Sequence, residues 1–215
     1  FTTGGMFLRW FRDGFCDLEM DIQTLSGIDA YDLMTREADK VSAGSDGLLA
    51  LPHLQGSMAP DVNLDAKGVF YGATLKHKKP HFIRSIMESS GYIINRNLEA
   101  ISDMGLNVQQ IRTMGGGSKS EVWNQIKADI TGKTLYTTQS AQDAACLGAA
   151  ILAGVAAGIF DSIDSACDSM VEIKKVYTPN PENREIYARQ YEKYKKLFQV
   201  LDQVFAMDAE DLTKN

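Results

Sequence analysis

The residues best suited to hold a ligand are Gly115-Gly116-Gly117-Ser118-Lys119-Ser120, which follow the extended run Ile111-Arg112-Thr113-Met114 and precede Glu121-Val122-Trp123-Asn124-Gln125. Adjacent glycines add nothing to packing. A backbone without Cβ atoms adopts conformations barred to other residues and lets another molecule approach it closely. Ser118 and Glu121 have the S-x-x-E spacing of a capping box, and Trp123, Ile126 and Ile130 recur at helical spacing, so the loop is predicted to open a helix. An extended run, a bare loop and a helix N-terminus together suit a nucleotide or a phosphate. Two familiar phosphate loops are excluded. The G-x-G-x-x-G pattern fails because Ser120 stands where its last glycine should be, and the Walker pattern fails because Ser118, not glycine, precedes Lys119-Ser120. Taken alone, the stretch fits a structural turn as well as a ligand loop. Gly4-Gly5, ahead of Met6-Phe7-Leu8-Arg9-Trp10-Phe11-Arg12-Asp13, is a second glycine-to-helix junction.

Other side chains capable of chemistry are scattered. His53, His77 and His81 read as packing or surface residues, Asp129 and Asp143 as surface or helix-cap residues, and Cys146, set among Ala and Gly, as a small buried side chain. Cys16, Cys146 and Cys167 are odd in number and lack the C-x-x-C spacing, which points to a reducing compartment and a cytoplasmic location. No metal-ligand spacing is present. Glu88, on a long apolar-faced helix, reads as a structural hydrogen-bonding group rather than a catalytic carboxylate.

The elements that must position these residues belong to an ordinary globular composition. The chain has 215 residues, 44% of them hydrophobic, enough to bury a core in a single domain over residues 1–215. A net charge of -6 argues against a nucleic-acid partner, and Lys76-His77-Lys78-Lys79 is the sole basic cluster. Residues 144–160 are uncharged and contain a G-x-x-x-G pair, Gly154 and Gly158. This run is too short and too rich in Ala and Gly to span a membrane, so a helix packed inside the core is expected. The first residues, Phe1-Thr2-Thr3-Gly4-Gly5, resemble neither a signal peptide nor a natural start, and the chain reads as cut from something longer.

Periodicity predicts helices over residues 6–13, 28–43, 79–104, 118–131, 143–158, 162–169 and 182–207, the last carrying Tyr187, Tyr191 and Tyr194 as a packing stripe. Strands are predicted over 48–54, 68–75, 108–114, 133–138 and 171–176. Alternation of strand and helix from residue 108 to 158 is the mark of an α/β layer, and residues 178–215 read as a C-terminal helical tail packed on it.

Three segments carry a family likeness. Gly68-Val69-Phe70-Tyr71-Gly72, continuing through Thr74 and Pro80 to His81-Phe82-Ile83-Arg84-Ser85-Ile86-Met87-Glu88, matches a signature position by position, save that Ala73 stands where a larger aliphatic is usual. The other two are Gly115-Gly116-Gly117-Ser118-Lys119-Ser120 with Trp123, Gln125, Ala128, Asp129 and Gly132, and Leu147-Gly148-Ala149-Ala150-Ile151-Leu152-Ala153-Gly154. With these motifs the chain resembles the C-terminal domain of the FGGY carbohydrate kinases, most closely the xylulokinase-like members.

The resemblance implies an α/β, actin-like (ribonuclease-H-like) ATPase fold, a mixed sheet flanked by helices and here lacking its first strand or strands. It also implies ATP and Mg²⁺ as cofactors, and a sugar, such as the ketopentose xylulose, as phosphoryl acceptor. It assigns adenosine contacts to Gly116 and Ser120, with Gly115 and Gly117 completing the loop. Matching of Trp10-Phe11-Arg12-Asp13 puts a phosphate contact on Gly5 and an ATP-side polar residue on Arg9. No catalytic residue is assigned within the chain, because the family's catalytic base and sugar contacts belong to an N-terminal domain, which becomes the expected partner. Gly56-Ser57-Met58-Ala59-Pro60 departs from the Gly-Glu-Arg-Thr-Pro of related xylulokinases, which leaves the choice of sugar open between xylulose, another polyol or sugar, a sugar acid and a signalling sugar. An actin-like switch that binds ATP without phosphorylating a sugar is the alternative of a different class. A sheet edge left bare would also make a second copy of the chain an expected partner.

Overall fold

The computed structural model describes residues 4–213. The chain opens with three helices, α1 (Gly4–Phe15), α2 (Asp17–Ser26) and α3 (Ala30–Asp39). Phe7, Leu8 and Phe11 lie on one face of α1 and are buried, while Arg9 and Asp13 project outward and pair at 3.5 Å. Helix α2 is absent from the sequence reading, and the helix predicted over 28–43 is shorter than expected. Local caps set the start of α3, and its end falls at Asp39, where the Lys40 N–H bonds back to Glu37 and Ala38. Gly27 turns the chain with φ 75 and bonds back to Gln23, and Asp29 then caps α3 by accepting the Tyr31 N–H at 2.9 Å.

Strands β1 (Leu49–Pro52) and β2 (Gly68–Tyr71) pair antiparallel, Leu49 facing Tyr71 and Pro52 facing Gly68. Helix α4 (Lys79–Asp103), 25 residues long, is the spine of the molecule. Its middle is buried on all sides, polar residues included, because α1, α3, β1 and α5 (Glu121–Thr131) all pack around it. Polar groups can enter such a helix only when satisfied. Glu88 accepts from Gly44 N–H at 2.9 Å, Ser45 Oγ at 2.8 Å, Arg84 Nε at 3.0 Å and Tyr187 O–H at 3.1 Å. Glu88 is thus a structural knot between the loop after α3, α4 and the C-terminal helix α8 (Arg184–Thr213). Burial pushes its carboxyl above the usual range, with Arg84 and the hydrogen bonds opposing.

Strand β3 (Gln110–Thr113), helix α5 and strand β4 (Thr134–Thr138) form a β-α-β unit with the two strands parallel, and β5 (Ile173–Tyr177) adds antiparallel to β4. The sheet order is β3-β4-β5, so β3 is an edge among the described residues. This mixed sheet flanked by helices is the α/β arrangement expected. Gly91 of α4 allows α5 to come close, since a Cβ there would stand 2.6 Å from Ile130 Cδ1. Tyr187, Tyr191 and Tyr194 are buried, as their spacing predicts.

Two expectations are corrected. Helix α6 (Ala144–Ala156) is not inside the core: Ile151 and Gly154 are buried, while Leu152 and Cys146 are exposed. A small apolar composition permits burial, but α6 packs mainly on α7 (Ile163–Met170), and no described element covers its outer face. Asp129, read as a surface or cap residue, is 6% exposed and accepts from Asn180 N–H, Asn183 Nδ2 and Gln125 Nε2 at 2.7–2.8 Å. It ties α5 to the segment leading into α8. No helix of the described residues is long and apolar enough to cross a membrane.

Candidate functional site

The glycine loop folds as a single 3-10 turn, Gly116–Lys119, between β3 and α5. Gly115 reverses the chain with φ 77, a conformation that favours glycine, and its N–H is tied to the Ala141 carbonyl at 2.7 Å. Its carbonyl accepts from the Ser118 N–H at 3.1 Å and from the Ser118 hydroxyl at 2.7 Å. The cap of α5 is therefore not the predicted Ser118. Ser118 is consumed inside the turn, and Ser120 caps the helix by accepting the Trp123 N–H at 3.2 Å. Glu121 pairs with Lys175 at 2.7 Å rather than closing a capping box. The sequence holds two serines two residues apart, and the 3-10 turn shifts the helix start from one to the other.

The turn faces the first turns of α1 and α3 across a solvent-open cleft of about 910 Å³. Gly5 and Leu8 line it from α1, and Asp29, Tyr31, Asp32 and Thr35 from the start of α3. Gly116, Gly117, Lys119, Ser120 and Trp123 form the opposite wall. The two glycine junctions, distant in sequence, thus share one cavity. A Cβ on Gly5 or Gly116 would meet nothing within 4 Å, so the bare backbone there opens onto free space. A Cβ on Gly117 would lie 3.3 Å from the Trp123 ring. That ring is a fixed wall, because its N–H donates to the Met87 carbonyl at 2.9 Å and to Ser90 Oγ at 2.8 Å, both on α4. Arg12 stands over the Tyr31 ring, 4.7 Å from its centroid, and joins α1 to α3 beside the cleft.

Of the six residues singled out from the sequence, Gly5, Gly116, Gly117 and Ser120 line this cleft. Gly115 lies behind it and shapes the turn. Arg9 projects away, its side chain 70% exposed and paired with Asp13. The α3 residues Asp29, Tyr31, Asp32 and Thr35 were missed, although the Asp29 cap two residues before Tyr31 is a readable signal for a helix start.

The cleft brings a helix N-terminus and carboxylates together. The first turn of α1 carries no acidic residue, so the positive end of its backbone dipole lies beside Gly5, while Asp29 and Asp32 line the same cleft. Among the described residues no cluster of three or more His, Cys, Asp or Glu side chains is placed to hold a metal ion. A separate small pocket lies between the loop 56–61, α4 and α8. Arg96 in its wall is committed to Asp61 by two bonds of 2.8 Å.

Comparison with known proteins places the chain in a family. Residues 3–157 match the model of the FGGY family of carbohydrate kinases, C-terminal domain. The chain is 39% identical over 187 residues to the gluconokinase of Bacillus subtilis (strain 168), covering 86% of this chain and 36% of that protein. Among solved structures, the gluconate kinase from Lactobacillus acidophilus superposes with a TM-score of 0.79 at 26% identity, over 95% of this chain and 39% of that one. The xylulose kinase from Rhodospirillum rubrum gives 0.76 at 27% identity, over 94% and 39%. The chain therefore spans a little over a third of the length of these relatives. It belongs to the FGGY family of carbohydrate kinases, with the actin-like ATPase fold of that family's C-terminal domain.

Proposed function

We propose that this chain is the nucleotide-binding half of an ATP-dependent kinase that transfers the γ-phosphoryl group to a sugar hydroxyl. The supporting observation is that Gly5 and Gly116, each at a glycine-to-helix junction, line the same cleft. In this reading the adenosine lies against Gly116 and Ser120, with Gly117 and the Trp123 ring behind it, and the phosphates run toward Gly5. The N-terminal turn of α1 receives their charge through backbone N–H groups. Arg9 projects away from the cleft and pairs with Asp13, so no contact to the nucleotide is assigned to it.

Phosphoryl transfer depends on positioning and on neutralising charge, and Mg²⁺ bound with the nucleotide would supply part of that neutralisation. The residues of this chain bind and orient the nucleotide. The base that accepts the sugar proton, and most sugar contacts, come from a second domain brought in by cleft closure. The chain alone is expected to bind ATP or ADP weakly and to turn over no sugar.

Two acceptors stand out. The chain's likeness to structures named xylulose kinase favours a ketopentose, whereas relatives named gluconokinase or gluconate kinase favour a sugar acid. The test is ADP release by the full-length protein across a panel holding xylulose, gluconate, glycerol and other ketoses. Release that depends on one sugar supports the kinase and names its acceptor. Nucleotide binding with no sugar-dependent release overturns it in favour of an actin-like switch.

A further inference from the structure

Beneath the glycine turn lies a buried lysine. Lys127, in the middle of α5, is 7% exposed. Its Nζ donates to Asn124 Oδ1 at 3.3 Å and to Thr113 Oγ1 at 3.4 Å. Thr113 is the last residue of β3, where the chain leaves for the turn. Asn124 uses its other end, Nδ2, to hold the Ser118 carbonyl at 2.7 Å, and Ser118 in turn holds Gly115. One ammonium thus connects the strand that enters the turn to the amide that closes it. The same Nζ is 5.0 Å from the Trp123 ring centroid and 3.9 Å from the place a Gly117 Cβ would occupy.

Among the described residues no carboxylate faces this cation. On the turn, Lys119 is exposed; at the start of α5, Glu121 is paired with Lys175; on α4, Glu88 is held by Arg84; on β3, Arg112 is exposed. Burial alone pulls the Lys127 ammonium down from 10.5 to about 8. A buried cation without a counter-charge destabilises a fold, and an apolar side chain of similar length would fill the same space.

We propose that Lys127 is a positioning residue of the nucleotide loop, whose proton holds the turn in its ligand-receiving shape at some expense of folding stability. An ammonium donates and never accepts, so it requires the oxygen of the Asn124 amide on its own side. That leaves the Asn124 nitrogen pointing at the Ser118 carbonyl. A neutral amine can accept as well as donate, and it no longer fixes the amide. The inference rests on the nucleotide reading of the cleft.

Affinity and stability should therefore move in opposite directions with pH. The unfolded lysine titrates near 10.5 and the folded one near 8. Between these values the unfolded chain binds more protons, so the Lys127 contribution to stability rises with pH, while the turn loses its ammonium. Calorimetric titration with ADP is expected to show affinity falling about tenfold between roughly pH 7 and pH 9, the loss of one charge-assisted contact. Lys127→Met is expected to bind ADP weakly at both pH values while melting at a higher temperature than wild type. Lys127→Arg, which keeps its charge throughout, is expected to flatten the affinity profile. A wild-type affinity that does not change between these pH values, or Lys127→Met binding ADP as tightly as wild type, overturns the role of Lys127 and leaves the nucleotide site standing. If wild type shows no ADP binding at any pH, the nucleotide reading falls and this inference with it.

Discussion

Gly91→Ala probes the contact on which the placement of the glycine turn depends. Helix α5 carries the turn at its N-terminus and lies against α4 at Gly91. A Cβ added there would stand 2.6 Å from Ile130 Cδ1, 3.2 Å from Ile130 Cβ and 3.3 Å from Ile130 Cγ2. Carbon atoms in favourable contact are about 3.5–4.0 Å apart. Ile130 must therefore move by roughly an ångström, yet it is buried, and its branched Cβ leaves χ1 little choice. Overpacking of this kind costs about 1–3 kcal/mol. Replacing a helical glycine by alanine returns about 1 kcal/mol. The net expectation is a loss of up to about 2 kcal/mol, read by urea unfolding with tryptophan fluorescence as the reporter. Ile130→Val removes the atom at 2.6 Å and by itself costs about 1 kcal/mol. The double variant is then expected to be more stable than the sum of the singles predicts, by about 1 kcal/mol. Gly91→Ala at or above wild-type stability, or strict additivity in the double variant, would refute this account of the α4–α5 contact.

Three further outcomes are expected. Ser120→Ala removes the helix cap and should cost about 1 kcal/mol, a fall of about 2–4 °C in melting temperature for a chain of this size, whereas Ser118→Ala should instead loosen the turn. Burial pulls the His53 imidazole from 6.5 down to about 4, so below about pH 6.5 the unfolded chain takes a proton that the folded chain refuses. Stability should fall by about 3 kcal/mol as pH drops from 6.5 to 4, and the wild-type minus His53→Gln difference in urea melts isolates this contribution. Finally, Cys146 is exposed while Cys16 is buried, with burial pushing its thiol up to about 11. Iodoacetamide should label Cys146 in the native chain and leave Cys16 unmodified until unfolding, as peptide mass spectrometry would show.

The fold was legible wherever periodicity and tertiary packing agree. The apolar face of α4, the Tyr187, Tyr191 and Tyr194 stripe and the strand-helix alternation around Gly115 all have a period that sequence alone displays. What escaped notice depends on partners. Helix α2 has a weak apolar stripe and stays largely exposed, so only its Gly27 terminator marks it. The Ser118 and Ser120 alternatives have the same local chemistry, and the choice between them comes from the Gly115 turn and the Asn124 bond to Ser118. Helix α6 has the composition of a buried helix, but composition does not reveal which element covers it. At the site, the glycines stood out because they lack side chains, and the wall formed by Asp29, Tyr31, Asp32 and Thr35 did not, because no local pattern relates α3 to a loop some eighty residues later. Lys127 was hidden for a related reason: in sequence it is one helical lysine among several, and only its burial distinguishes it.

The central claim is that the two glycine junctions form a single nucleotide site. Hydrogen exchange read by mass spectrometry, with ADP titrated onto the chain, tests it most directly. The expected result is protection of the amides around Gly5 and of those at 116–120 over the same range of ADP concentration, with the loop 56–61 unchanged. Protection of one junction without the other, or of neither at saturating ADP, would contradict it.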